Sequence, residues 1–269
     1  MEQRIGIIAG SGELPLLILK ETQKLGYACM VVGIQGQTDA SLQDRIDEFQ
    51  WFEMSAILGL ISFFKENNIK DVIFAGKIDH RIIFCQEKSE QPSLNLLDRL
   101  RDKSPTAIIN AVIEFMAFQG ISILDPTPFI ASAFCSEGIL TEANPSQKEE
   151  EDIVFGWPIA RKLADSDIGQ TVIVKDKAIV ALEGMEGTDE TIKRGGLLAG
   201  KGTVGIKMSR FHQDTRVDLP TIGLNTIKSL VEAESGAFCF EAERVPFFQQ
   251  EEAISMADEN NIAIVAKKS

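Results

Sequence analysis

The sequence predicts an α/β protein in two domains, an open parallel sheet followed by a mixed α/β domain. Three observations predict it. Short apolar runs alternate with amphipathic helical stretches over the first half of the chain. The alternation stops at residues 125–134, a segment with two prolines. Beyond it, a hairpin is mixed with further helices and strands. A length of 269 residues suits two domains, and the boundary is placed to give residues 1–134 and 135–269.

Arg4–Ala9 (RIGIIA) is a short apolar run beside glycine, the pattern of a strand buried on both faces. Pro15 suits the first turn of a helix, where its missing N–H would have had no partner, and Gly26 marks the helix stop. Residues 29–34 (CMVVGI) form the second strand. Ser55 is an N-cap for a helix whose stripe is Ile57, Leu60, Ile61 and Phe64. Asp71–Ala75 is the third strand, ending at Gly76-Lys77. Ser104-Pro105 opens a helix with Ile108, Val112, Phe115 and Met116 on one face, and residues 121–124 (ISIL) follow as a strand. This order is that of a Rossmann-like domain, with helices on both faces of a parallel sheet.

In the second half, Ser146 and Glu149 have capping-box spacing, and the acidic run at 149–152 then meets the positive end of a helix dipole. Pro158 is expected to kink or interrupt that helix. Residues 171–174 and Ala178–Leu182 read as a hairpin around a polar turn. Further strands are expected at 203–208, Ala237–Glu241 and 262–266, and helices at 224–233 and 251–260.

Charge narrows the partners. Lys plus Arg number 27 and Asp plus Glu 40, for a formal charge of −13. So acidic a chain has no electrostatic basis for non-specific nucleic-acid binding or for a basic patch on anionic lipid. No apolar run approaches the roughly 20 residues of a membrane span. The N-terminus enters a strand with no secretory pattern, and Cys29, Cys85, Cys135 and Cys239 form no CxxC pair. Both fit free thiols in a reducing, cytoplasmic setting.

Four segments are candidates for chemistry. Gly10, Ser11 and Gly12 follow a strand and open a helix, where backbone N–H groups can receive a phosphate. Pro15 stands where a dinucleotide fingerprint has its third glycine, and no acid ends the second strand to hold a ribose. A nicotinamide-dependent oxidoreductase is thereby disfavoured; a nucleotide or sugar phosphate stays open, as does a tight turn packed on the sheet. Lys77, just past the third strand, can meet a phosphate there or stay solvated. Residues 195–202 (GGLLAGKG) imitate a P-loop but lack its Ser or Thr and a preceding strand, and read as a flexible loop.

The densest polar segment is 213–221, QDTRVDLPT. If it is extended, Asp214, Arg216 and Asp218 share one face. Two carboxylates about an arginine can hold Mg²⁺ or Mn²⁺ beside a phosphate-binding guanidinium. A salt-bridge ladder capping the next helix through Thr221 fits equally. Glu183, with Glu186, Gly187, Thr188 and Asp189, lies between hairpin and helix and reads either as ordinary caps or as carboxylates and a hydroxyl near that cluster. His80 and His212 are the only histidines; no HxxxH zinc spacing, no GxSxG elbow and no Cys–His signature exist. Metal-assisted phosphate chemistry needs none of them.

Six stretches, IIAGSGELP at 7–15, FAGKI at 74–78, ILT at 139–141, DIGQTVIV at 167–174, ALEGMEGTDETI at 181–192 and QDTRVDLPTIGLNTI at 213–227, span nearly the whole chain. Together they resemble the LpxI family, the UDP-2,3-diacylglucosamine pyrophosphatases of lipid A biosynthesis. The resemblance implies two α/β domains with a lipid-sugar site between them. It implies hydrolysis of a UDP-linked diacylated glucosamine to UMP and 2,3-diacylglucosamine 1-phosphate, with a divalent metal, usually magnesium, and water attacking the α-phosphorus. The family's acids in QDxRxDxPTIG fall on Asp214 and Asp218, and its EGTD on Glu186, Gly187, Thr188 and Asp189. One departure is Asp79-His80, where a more basic or proline-containing stretch is expected.

On this resemblance the catalytic set is Asp214, Asp218 and Arg216, and the metal set Asp214, Asp218 and Asp189. The substrate set is Gly10, Ser11, Gly12, Lys77, Gln170, Glu186, Gly187, Thr188, Asp189, Lys207, Gln213 and Thr221. Lys207 and Arg216 are expected to offset phosphoryl charge while the Gly10 turn and Lys77 close over the substrate. The protein is expected in the cytoplasm, meeting the inner-membrane face transiently through its lipid substrate; a homodimer is compatible. The competing class is a nucleotide-sugar or lipid carrier without turnover.

Overall fold

The structure, a computed structural model, describes residues 3–54, 56–76 and 105–269. The chain divides into two compact units: Met1–Ile130 with Thr215–Val217, and Ala131–Asp214 with Asp218–Ser269.

The first unit holds β1 (Arg4–Ala9), α1 (Leu14–Lys24), β2 (Ala28–Ile34), β3 (Phe49–Phe52), α2 (Ile57–Glu66), β4 (Asp71–Ala75), α3 (Pro105–Phe118) and β5 (Ser122–Ile123). The sheet order is β3-β2-β1-β4-β5, and every pairing is parallel. Ile8 of β1, Val32 and Ile34 of β2 and Val72 of β4 pack with Leu60, Ile61 and Phe64 of α2 and with Ile113 and Met116 of α3. Helix α1 has Pro15 in its first turn and ends before Gly26, whose φ is +86°. Strand β3 was not expected. It is a half-buried edge strand whose Phe49 and Trp51 rings meet edge to face. The expected Ser55 cap lies outside the described residues, as do Lys77, Ser104 and Cys85.

The second unit holds β6 (Gly138–Ile139), α4 (Gln147–Asp165), β7 (Thr171–Lys175), β8 (Ala178–Leu182), α5 (Thr188–Ala199), β9 (Val204–Lys207), α6 (Leu224–Glu232), β10 (Ala237–Glu241), α7 (Gln250–Glu259) and β11 (Ala263–Lys267). Its sheet runs β6-β11-β10-β9-β7-β8. Strands β9, β10 and β11 are parallel, while β7, β8 and β6 join antiparallel. Alternation along β10 separates the faces: Phe238 and Phe240 pack with α5, α6 and α7, and Ala237 and Cys239 with α4. Asp176 and Lys177, both with positive φ, make the two-residue hairpin turn, and Asp152 accepts from both of their backbone N–H groups.

Helix α4 begins with the full Ser146–Glu149 capping box. It is not interrupted at Pro158 but continues to Asp165. The proline is exposed, and so is Val154, whose carbonyl loses its donor, so water can take that carbonyl. Residues 195–202 are likewise not a loop throughout: α5 runs to Ala199, with Gly195 letting it close on Ile173 of β7, and only 200–202 lie beyond the helix.

Candidate functional site

In the first unit, the candidate turn lies where β1 and β4 end side by side. Gly10 N–H donates to Ala75 O at 2.7 Å. Gly76 has φ +92°, and a Cβ there would lie 2.6 Å from Ser11 O. Thr38 ties the ends of β1 and β2 together: its Oγ1 donates to Ala9 O and accepts from Ile34 N–H. Glu13 is the N-cap of α1 but makes no side-chain capping bond; its carboxylate lies 3.6 Å from Arg45 Nη1, and no acid lies in the helix's first turn. The backbone N–H groups at the start of α1 are the feature there that an anion could use, with the Glu13 carboxylate beside them.

In the second unit, the expected residues converge where β9 ends, β7 begins and β8 ends. The buried Lys207, only 6% exposed, closes β9 and donates to Thr188 Oγ1 at 2.6 Å. Thr188 opens α5, but its hydroxyl does not cap the helix; it meets Thr171 Oγ1 at 3.2 Å and both Glu183 carboxylate oxygens at 3.4 Å. Gly187, with φ +85°, takes the cap position. Gly169 explains part of the DIGQ stretch: a Cβ there would stand 2.1 Å from Glu183 O, so glycine alone admits that strand. Gln170 N–H then donates to Glu183 Oε2.

Gln170, 8% exposed, turns its amide to Asp218: Nε2 donates to Oδ2 at 3.2 Å. Gln213 Nε2 donates to the same oxygen at 2.9 Å, and Arg210 Nη2 lies 3.6 Å from it. Arg210 also pairs with Asp167 at 2.7 Å. Two buried atoms beside this carboxylate, Gln170 Oε1 and Arg210 Nε, have no hydrogen-bond partner among the described residues. The group can thus offer a ligand both an acceptor and a donor.

Segment 213–218 is not extended as expected. Asp218 N–H donates to Asp214 O at 3.1 Å, closing a turn over Thr215–Val217. Asp214, Arg216 and Asp218 therefore do not share a strand face, and Arg216 is counted with the first unit. Thr221 does not cap α6; Gly223 stands there. Glu186 points away into structure. Its own backbone N–H and the Arg194 guanidinium hold its carboxyl below the usual glutamate range, and Gly184 N–H donates to it as well.

Among the described residues, no three of His, Cys, Asp and Glu gather as a metal site, so Asp189, Asp214 and Asp218 do not form one cluster. Mg²⁺ needs no such cage: it takes one or two carboxylates and fills its shell with water and phosphate oxygens. Asp218 fits that use. The three donors all face Oδ2, which fixes the carboxylate and leaves Oδ1 outside their grip. Sequence reasoning missed Arg210, Asp167 and Thr171 and left Glu183 without a role. Glu183 carried a signal through its place in the 181–192 stretch, and Asp167 and Thr171 through theirs in 167–174; Arg210 lies in none of the stretches.

The class this defines is a two-domain α/β protein with a buried lysine, amides and a carboxylate at the strand ends of its second sheet, suited to an anionic ligand. A model of the LpxI N-terminal domain matches residues 4–133, and one of the LpxI C-terminal domain matches residues 136–265. The chain belongs to the LpxI family. A Caulobacter vibrioides relative, named UDP-2,3-diacylglucosamine pyrophosphatase LpxI, is 27% identical over 280 residues, covering 98% of this chain and 97% of the relative.

Proposed function

We propose that this protein hydrolyses the pyrophosphate of UDP-2,3-diacylglucosamine to UMP and 2,3-diacylglucosamine 1-phosphate, a step of lipid A synthesis. The observation that carries the reading is the end-to-end match, through both domains, to a relative named for that activity. The second-unit geometry supports it. Lys207 is a buried cation at the end of β9 that donates to Thr188 Oγ1, and a charge fixed in so dry a place stabilises phosphoryl oxygens more strongly than a solvated one.

In the proposed reaction, water attacks the α-phosphorus. Its oxygen stays in UMP, the bond from that phosphorus to the bridging oxygen breaks, and the lipid phosphate leaves with the bridging oxygen. Asp214 and Asp218 would hold Mg²⁺ or Mn²⁺, which when bound neutralises the pyrophosphate and lowers the pKa of a bound water. Gln170 and Gln213 keep Asp218 oriented. Lys207 takes the developing charge, Arg216 adds a second cation, and the Gly10–Gly12 turn offers backbone N–H groups to a phosphate. Among the described residues no helix is long and apolar enough to cross a membrane. The proposed contact with the bilayer is transient and made through the diacylated substrate.

The test is incubation with UDP-2,3-diacylglucosamine in H₂¹⁸O with Mg²⁺, followed by mass spectrometry. Label in UMP is the expected result. Label in the lipid phosphate reverses the site of attack, and no turnover with any divalent metal replaces the enzyme by a carrier.

A further inference from the structure

Glu241 ends β10 and is 0% exposed, yet it belongs to none of the stretches that point to the site. Oxygen Oε2 accepts from both Ser209 N–H, at 3.0 Å, and Ser209 Oγ, at 2.9 Å. Oxygen Oε1 accepts from Ser269 Oγ and pairs with Arg161 Nη2 from α4. Arg161 then returns to the same residue, its Nη1 donating to Ser209 O at 2.7 Å. Arg244, whose Nε lies 3.9 Å from Glu241 Oε2, donates through Nη2 to Arg210 O and Phe211 O. Three successive carbonyls, 209 to 211, are thus held by two guanidiniums that share one buried carboxylate.

That segment follows Lys207 and leads to Arg210 and Gln213, which both face Asp218 Oδ2. Arg210 N–H donates to Gln213 Oε1 at 2.9 Å, so the segment is also closed on itself. We propose that Glu241 is a positioning residue for the hydrolysis: it fixes the 208–213 segment and, through Gln213 and Arg210, the carboxylate of Asp218. A buried ion pair is a poor source of net stability, but it fixes one geometry, and a small misplacement of a reacting group costs a large factor in rate. The inference rests on the reading of the site given above.

The test compares wild type, Glu241→Gln, Ser209→Ala and Gln213→Ala on UDP-2,3-diacylglucosamine, well below each unfolding midpoint. Glu241→Gln should lower kcat about tenfold or more with KM within twofold, and Ser209→Ala should give a smaller loss of the same kind. In a Gln213→Ala background, Glu241→Gln should cost less than it does in wild type, because part of its effect runs through that side chain. Amide hydrogen exchange over 208–213 should quicken in both Glu241→Gln and Ser209→Ala. Should Glu241→Gln fail to fold, Ser209→Ala carries the same comparison with the ion pair intact. Unchanged kcat beside a lowered midpoint, or full additivity with Gln213→Ala, overturns the role. A wild type that releases no UMP overturns the functional reading instead, and the exchange measurement still decides whether Glu241 fixes the segment.

Discussion

Both units bring the C-terminal ends of parallel strands to a candidate site, but they build it from different material. In the first unit it is backbone: the turn at 10–12, with Gly10 and Ser11 packed on Gly76 and the start of α1 behind them. In the second it is side chains: Lys207 on Thr188, and Gln170 and Gln213 on Asp218, steadied by a buried ion pair. A backbone turn can receive any phosphate and specifies little else. A side-chain network with a buried cation and an oriented carboxylate specifies a reaction. The second unit should therefore govern turnover, and the first binding.

The sharpest way to break this contrast is Asp218→Ala or Asp214→Ala, each expected to cut kcat by about a thousandfold. Lys207→Met, which removes the buried charge at similar volume, should cost about 10²–10³. If folded variants keep full activity, the second unit is not where turnover is governed. Gly76→Ala comes next: its Cβ meets Ser11 O at a backbone angle that only glycine adopts freely. It should destabilise the protein by about 1–3 kcal/mol and raise KM more than it lowers kcat. A kcat effect equal to that of Lys207→Met would erase the difference between the units.

A smaller effect concerns Glu186. Its folded-state pKa lies below the ordinary glutamate value of 4.5, so its contribution to stability is full above that value and lost as pH falls through the folded one. Wild type and Glu186→Gln should differ in unfolding midpoint at neutral pH and converge in acid; a gap that widens in acid contradicts the assignment. Smallest is Cys239, whose thiol burial pushes up to about 12. Peptide mapping of the native protein after iodoacetamide at neutral pH should find it unmodified, and rapid labelling would show that the β10 core opens readily.

Where local chemistry decides structure, it was legible in the sequence. Ser146 and Glu149 cap α4 as their spacing requires, the apolar run Ala237–Glu241 is β10, and Pro15 and Gly26 bracket α1. Where distant partners decide, it was not. Period-two reasoning put Asp214, Arg216 and Asp218 on one face, but the backbone bond from Asp218 to Asp214 turns the chain. The glycines at 195–202 suggested a loop, although Gly195 exists for close packing on Ile173. Nothing in the local sequence marks Glu241 as more than the last residue of an expected strand, because its partner Arg161 is 80 residues away. Gln170 and Gln213 could be named from the family stretches, but their shared oxygen on Asp218 belongs to three dimensions.

The tripeptide Thr215–Val217 interrupts the second unit and is counted with the first. Thr215 Oγ1 donates to Asp125 at 2.8 Å, and Val217 packs against the core under β1, β2 and β4. No single cut of the gene can therefore deliver either unit whole. A fragment ending near residue 134 would leave behind part of its own filling. A chimaera taking residues 1–134 from another member of the family would fold that sheet around a borrowed valine. Exchanging the tripeptide along with the N-terminal half is the graft this wiring demands.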